Sequence, residues 1–330
     1  MEREARRAPI LFVHGAWHGA WCWEDHFVPY FANRGWQVTA LNLRAHGGPR
    51  ERRGLRWKRI ADYVEDLAAA AAGLPEPPVV IGHSMGGLVV QKYLESHPAP
   101  AAVLLASVPP KGVLATTLRF LARHPLKFLK TNLTMSLWPI IETPELAREM
   151  FFEETMPDSE ARGLHSRLQD ESYLAYLDMM AFALPRPEAV EKLPMLVLGG
   201  GQDRVFTAAE VRATAEAYGA EIEMFPELPH DLMRGPGWQL VAARIESWLA
   251  SALEVGVHVD VPLAAGAAVG PEIGEVAEGD GAGGGEREPE QDLAVAEVGE
   301  HLVDTPVEDG AAGQLQRPGA ETSFRRTATA

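Results

Sequence analysis

The chain holds a single cysteine, Cys22, among 330 residues. That excludes an intrachain disulfide and leaves a small packed hydrophobe as the expected role of Cys22. No apolar run reaches membrane-spanning length, so stable membrane insertion is not expected. The opening stretch "MEREARRAPILFVHG" passes from charge straight into a short apolar run, too short and wrongly flanked for a signal peptide. A cytoplasmic location is the expectation. Basic residues number 30 against 46 acidic ones, a formal net charge of −16. With no basic patch interleaved with aromatics, this argues against a nucleic-acid partner. The one local basic run, "PRERRGLRWKR" (49–59), reads as a solvated loop and helix start, with contact to an anionic substrate group as the alternative. No cluster of His, Cys and Glu has metal-ligand spacing and no phosphate loop is present, so neither metal nor cofactor is implied. Internal repeats are absent too, and nothing in the sequence fixes an oligomeric state.

What is present is unevenly spread. Residues 255–330 hold 15 acidic and 4 basic residues and one aromatic, Phe324. Runs such as "GEVAEGDGAGGGEREPEQD" cannot bury enough apolar surface to offset chain entropy, so 255–330 is expected to be a disordered acidic low-complexity tail. The expected folded part is 1–254. In it, short apolar runs alternate with helical patterns. Strands are predicted at 10–13, 37–43, 78–82, 101–106, 195–199 and 221–225, and several are apolar on both faces, as strands covered by helices on each side must be. Helices are predicted at about 21–34, 57–73, 84–96, 207–218 and 237–253. This alternation implies an α/β fold with a mostly parallel central sheet flanked by helices. Between the fourth and fifth strands the rhythm breaks. The intervening segment, 110–187, is rich in Leu, Phe, Met, Trp and Pro, with helical patches near 114–130, 144–155, 158–169 and 171–183. It reads as a helical cap inserted into a core formed by 1–109 and 188–254.

In such sheets ligands gather beyond the carboxyl ends of the strands, and four features of this chain lie there. The first is "GHSMG" (82–86), a G-x-S-x-G between a strand and a helix. Its pattern is that of a sharp turn exposing the hydroxyl of Ser84 as a nucleophile before the N-terminal amides of a helix. The second is "GGGQDRVF" (199–206), which sets Asp203 just past a strand end. A turn or N-cap aspartate is the alternative there, but the preceding core strand ends in "LLASVPPKG" and offers no carboxylate. The third is "ELPHDLM" (227–233), with His230 after the last strand. The order Ser84, Asp203, His230 suits a catalytic triad in which Ser84 attacks a carbonyl, His230 moves the proton and Asp203 orients the imidazole. The fourth is "VHGAWHGAWCW" (13–23). A tetrahedral intermediate needs two backbone donors, and the N–H groups of Ala16 and Met85 are the candidates for that oxyanion hole. His14, Arg44 and His46 are expected to order loops. Trp21 and Trp23 are pocket wall or core, and His18 has no assigned role.

These segments resemble the α/β-hydrolase fold proteins. "VHGAWHGAWCWE", "LNLRAHGG", "VVIGHSMGGLV", "LVLGGGQD" and "LPHDLM" match that superfamily in kind, order and spacing over about residues 9–253. The flavour is that of serine esterases and lipases, nearest the small methylesterases and hydroxynitrile lyases that share "HGAxHGxWxW". In those lyases a Thr stands where this chain has Gly15, and a Lys follows the catalytic His where this chain has Asp231, so both departures point away from lyase chemistry. Dehalogenases of the fold use an Asp nucleophile, which Ser84 argues against. The fold's sheet has eight strands, and six are legible here.

The resemblance implies that the cap selects the substrate. Its apolar side chains suit an acyl chain or aromatic ester, with Trp17, His83, Trp138 and Phe182 as candidate substrate contacts. The expected partner is thus a small hydrophobic ester, cleaved through an acyl-enzyme. Alternatives are carbon–carbon bond hydrolysis, lyase or perhydrolase chemistry with the same triad, or a small-ligand receptor without turnover.

Overall fold

The computed structural model describes residues 7–47 and 53–255. The acidic tail lies outside the described residues, as does part of the basic run at 49–59. Six strands form one sheet: β1 (Ile10–Val13), β2 (Val38–Leu41), β3 (Val79–His83), β4 (Ala102–Leu105), β5 (Met195–Gly200) and β6 (Glu221–Phe225). Their spatial order is β2-β1-β3-β4-β5-β6 and every pairing is parallel. The order reverses at β1, which makes the crevice beyond β1 and β3 the natural place for a ligand.

Strand periodicity sorts the core into two layers. Ile10, Phe12, Val79, Ile81, Val103, Leu105, Leu196 and Leu198 face one side. There they meet α1 (Trp21–Glu24), α2 (Phe27–Ala32) and α12 (Trp238–Val255). Leu11, Val13, Val80, Ala102, Leu104 and Val197 face the other. There they meet α3 (Ile60–Ala72), α4 (Met85–Leu94) and α11 (Ala208–Tyr218). Cys22 is buried in the first layer, and burial pushes its thiol well above the ordinary range.

Between β4 and β5 come α5 (Leu114–Arg123), α6 (Pro125–Thr134), α7 (Trp138–Ile141), α8 (Pro144–Phe151), α9 (Asp158–His165) and α10 (Tyr173–Leu177), the last running into a π turn over Asp178–Phe182. The single helix read at 114–130 is two helices, because Pro125 has no N–H to continue α5 and instead starts α6. The patch read at 21–34 is likewise two short helices, and α7 is a one-turn element that no long periodicity announces. Among the described residues no helix is long and apolar enough to cross a membrane.

Candidate active site

Among the described residues, four of the five non-glycine residues with positive φ sit in the loops after β1, β2, β3 and β4: Trp17 (64°), Ala45 (69°), Ser84 (52°) and Ala106 (40°). Such backbone costs on the order of 1–3 kcal/mol per residue and persists only where surroundings hold it. Strain is therefore stored at the carboxyl ends of the strands.

Ser84 ends β3 and precedes α4, with φ 52° and ψ −117°. Its N–H donates to the Leu105 carbonyl at 3.0 Å, and its own carbonyl accepts from Gly87, Leu88 and Val108. The turn is tight because α4 starts against β1. A Cβ at Gly86 would lie 2.4 Å from the carbonyl oxygens of both Val13 and His14. Ser84 lines a cavity whose wall is almost entirely apolar. Val113, Phe120, Phe128, Leu137 and Met179 of the 110–187 segment contribute to it, with Val205 and Phe206 after β5.

His230 is buried, and its Nδ1 lies 2.9 Å from Asp203 Oδ2. The other Asp203 oxygen accepts from the N–H groups of Val205 (2.7 Å) and Phe206 (2.9 Å), so the loop after β5 holds the carboxylate still. Nδ1 therefore carries the proton and Nε2 is left as a base. Burial works against a charged His230 ring. The charge and hydrogen bond of Asp203, helped by Asp231, outweigh that and raise its pKa above the ordinary value. The His230 ring is 5.5 Å from that of Phe206, which lines the cavity, and 4.8 Å from that of His83, next to Ser84.

The loop after β1 faces the same cavity through Ala16 and Trp17. Neither the Ala16 N–H nor the Met85 N–H has a protein acceptor among the described residues. Two buried clusters hold this loop. In one, Glu171 from the 110–187 segment accepts from His46 Nε2 (2.9 Å), Tyr63 Oη (2.9 Å), the Ser172 N–H (2.6 Å) and the Trp17 N–H (3.3 Å). Burial opposes both charges, yet their mutual attraction wins, raising His46 and lowering Glu171. In the other, His18 bridges the Ala16 carbonyl (2.8 Å) and Asp231 (3.0 Å). His14, by contrast, accepts from the Leu43 N–H at Nε2 and donates from Nδ1 to the Gly15 carbonyl. It stays neutral, burial and the nearby His46 pushing its pKa well down. Arg44 is tied to Asp66 and Asp62 of α3 and to Glu65.

Of the residues read as substrate contacts, Trp17 lines the cavity and the other three do not. Phe182 is 73% exposed, because the π turn commits Asp178 and Met179 inward and carries Phe182 out. Trp138 packs on His165 instead, with ring centroids 5.4 Å apart. His83 is fully buried beneath the site, donating from Nε2 to the His230 carbonyl at 3.1 Å, and burial depresses its pKa to about 3. The sequence gives neither Glu171 nor Asp231 a site role: Glu171 lies in no motif, Asp231 stands out only as a departure from the lyases, and their partners lie over 100 residues away. His83, His230 and Asp231 also offer possible ligand atoms within 4.8 Å of one another. All three serve hydrogen bonds within the protein.

A strained serine between a parallel strand and a helix, with a buried His–Asp pair from later loops, defines a class, and sequence comparison gives the same class. The sequence model of the alpha/beta hydrolase family matches residues 10–244, and the chain belongs to that family. Among curated relatives, a monoacylglycerol lipase of Mycolicibacterium smegmatis is 26% identical over 266 residues, 75% of this chain and 89% of that protein. Methylesterase 3 of Arabidopsis thaliana is 35% identical over 105 residues, 31% of this chain. The match spans only 40% of that methylesterase's length. Among solved structures, polyneuridine aldehyde esterase shares the fold at a TM-score of 0.56 and 20% identity, over 73% of this chain and 99% of that one.

Proposed function

We propose that the chain is a serine hydrolase cleaving carboxylic esters that carry an apolar acyl or aryl group. The observation that carries this reading is Ser84 at φ 52°, in the wall of an apolar cavity, on the turn beside the His230–Asp203 pair. Ser84 Oγ attacks the ester carbonyl while His230 Nε2 takes its proton. Asp203 holds the Nδ1–H tautomer and stabilises the imidazolium that forms. The N–H groups of Ala16 and Met85 receive the oxyanion. The tetrahedral intermediate collapses, His230 passes its proton to the leaving alkoxide, and the alcohol departs. Water, activated by the same histidine, then hydrolyses the acyl-enzyme.

The 110–187 segment acts as the cap that selects the acyl group, since its side chains make most of the apolar wall. Hydrolase rather than lyase chemistry is supported by Gly15: a Cβ there would lie 2.8 Å from His83 Nδ1 and 3.0 Å from Ser84 Cβ, so a threonine does not fit without movement. The relatives' names, a lipase and a methylesterase, agree with ester cleavage. The test is turnover of chromogenic acyl esters by wild type and Asp203→Asn. Hydrolysis in the first and near-complete loss in the second is expected. Equal rates would remove Asp203 from the mechanism.

A further inference from the structure

We infer that His18 and Asp231 are a positioning pair that locks the loop bearing the oxyanion donor Ala16 to the loop bearing the base His230. This rests on the ester-hydrolase reading of the site. His18 lies two residues past Ala16, and Asp231 directly follows His230. Their side chains are 1% and 0% exposed. Nδ1 of His18 faces the Ala16 carbonyl at 2.8 Å, and Nε2 faces Asp231 Oδ2 at 3.0 Å. A carbonyl and a carboxylate only accept, so both ring nitrogens donate and the ring is an imidazolium against a carboxylate.

Stability alone does not account for such a pair. Ion pairs this deep lose much of their attraction to desolvation, and well-packed apolar residues often serve as well. What apolar residues cannot do is aim a peptide. The Gly15 carbonyl accepts from the His18 N–H at 3.3 Å and from His14 Nδ1 at 2.8 Å. In a trans peptide the C=O and N–H point in opposite directions, so holding Gly15 O sets the direction of the Ala16 N–H. The next peptide is held at both ends, its Ala16 oxygen by the His18 ring and its Trp17 N–H by Glu171. His18 is thus the hub of the loop, and Asp231 anchors the hub to the base. The second Asp231 oxygen lies 3.6 Å from His83 Nε2, so the nucleophile turn meets the same junction.

The test compares the full-length wild type, the double variant His18→Phe/Asp231→Ala, and Asp231→Asn. The double variant removes both charges together and leaves no lone buried ion. It is expected to keep its Tm and its KM for a chromogenic ester while kcat falls about tenfold to a hundredfold, approaching the loss of one oxyanion donor. Asp231→Asn is expected to keep most of kcat, since its amide can donate to Nε2 while a neutral ring keeps its Nδ1–H on Ala16. An unchanged kcat in the double variant, or Asp231→Asn falling as far as the double, overturns the pair's role. The rate at which an organophosphonate labels Ser84 reads the same oxyanion hole without ester turnover. A wild type that labels but cleaves no ester therefore refutes the ester reading, while the labelling rates of the variants still decide the pair.

Discussion

Replacing Glu171 by Gln strikes the contact between the 110–187 segment and the loop after β1. One carboxylate oxygen faces His46 Nε2 and the Trp17 N–H, and the other faces Tyr63 Oη and the Ser172 N–H. Whichever way the glutamine turns, its NH₂ points at two donors. The His46 ring also donates to the Arg44 carbonyl at 3.1 Å and loses its counter-charge. Both side chains are fully buried, so solvent screens neither. Removing one partner of a buried pair costs about 3–5 kcal/mol. The lower end is expected, because His46 can shed its proton. For a domain of this size that is a fall in Tm of roughly 6–12 °C. The pH dependence has a definite sign. His46 has a raised folded pKa, so its contribution is complete below its unfolded value near 6.5 and is lost as pH rises through the folded one. Glu171 has a lowered folded pKa, so its contribution is complete above its unfolded value of about 4.3 and is lost as pH falls through the folded one. The gap between wild type and Glu171→Gln, followed by circular dichroism melts, is therefore widest between about pH 4.3 and 6.5. A Tm within about 2 °C of wild type in that window, or a gap unchanged when His46 is also replaced, would refute the reasoning.

Other outcomes follow from the same geometry. Asp203→Asn leaves the Val205 and Phe206 N–H bonds available but presents the wrong group to His230 Nδ1, so kcat is expected to fall by roughly 10⁴-fold with the fold intact by circular dichroism. The log of kcat/KM is expected to rise with pH and level off above the raised pKa of His230, on the alkaline side of an ordinary histidine, because only the neutral ring accepts the serine proton. A midpoint below 6.5 would contradict the assigned partner charges. Thr131 lines the cavity and its buried hydroxyl has no partner, so Thr131→Val is expected to raise Tm and leave cleavage of plain alkyl esters unimpaired. A fall in that cleavage would mean the hydroxyl serves the substrate.

The sheet was legible because buried parallel strands read as short apolar runs, and all six lie within two residues of where the runs place them. The family was legible because "GHSMG" and "HGAWHG" carry constraints of backbone shape, which leave glycine and small residues in fixed places. The helices of the inserted segment were less so. Pro125 splits α5 from α6 between two stretches of similar periodicity, and Phe182 ends a π turn whose phase differs from that of an α-helix. The ion pairs beneath the site left no direct pattern in the sequence. His18 and Asp231 are 213 residues apart, and only the folded sheet brings them together. Their signal was indirect: a histidine without a role, and an aspartate noticed only as a departure from the lyases.

The most direct test of the account is hydrolysis of chromogenic acyl esters over a ladder of chain lengths, with wild type beside Ser84→Ala. Turnover by the wild type, lost in the variant and strongest for acyl groups that fill the apolar cavity, is the expected result. Equal turnover in both, or none on any ester while a phosphonate still labels Ser84, would contradict ester hydrolysis at this serine.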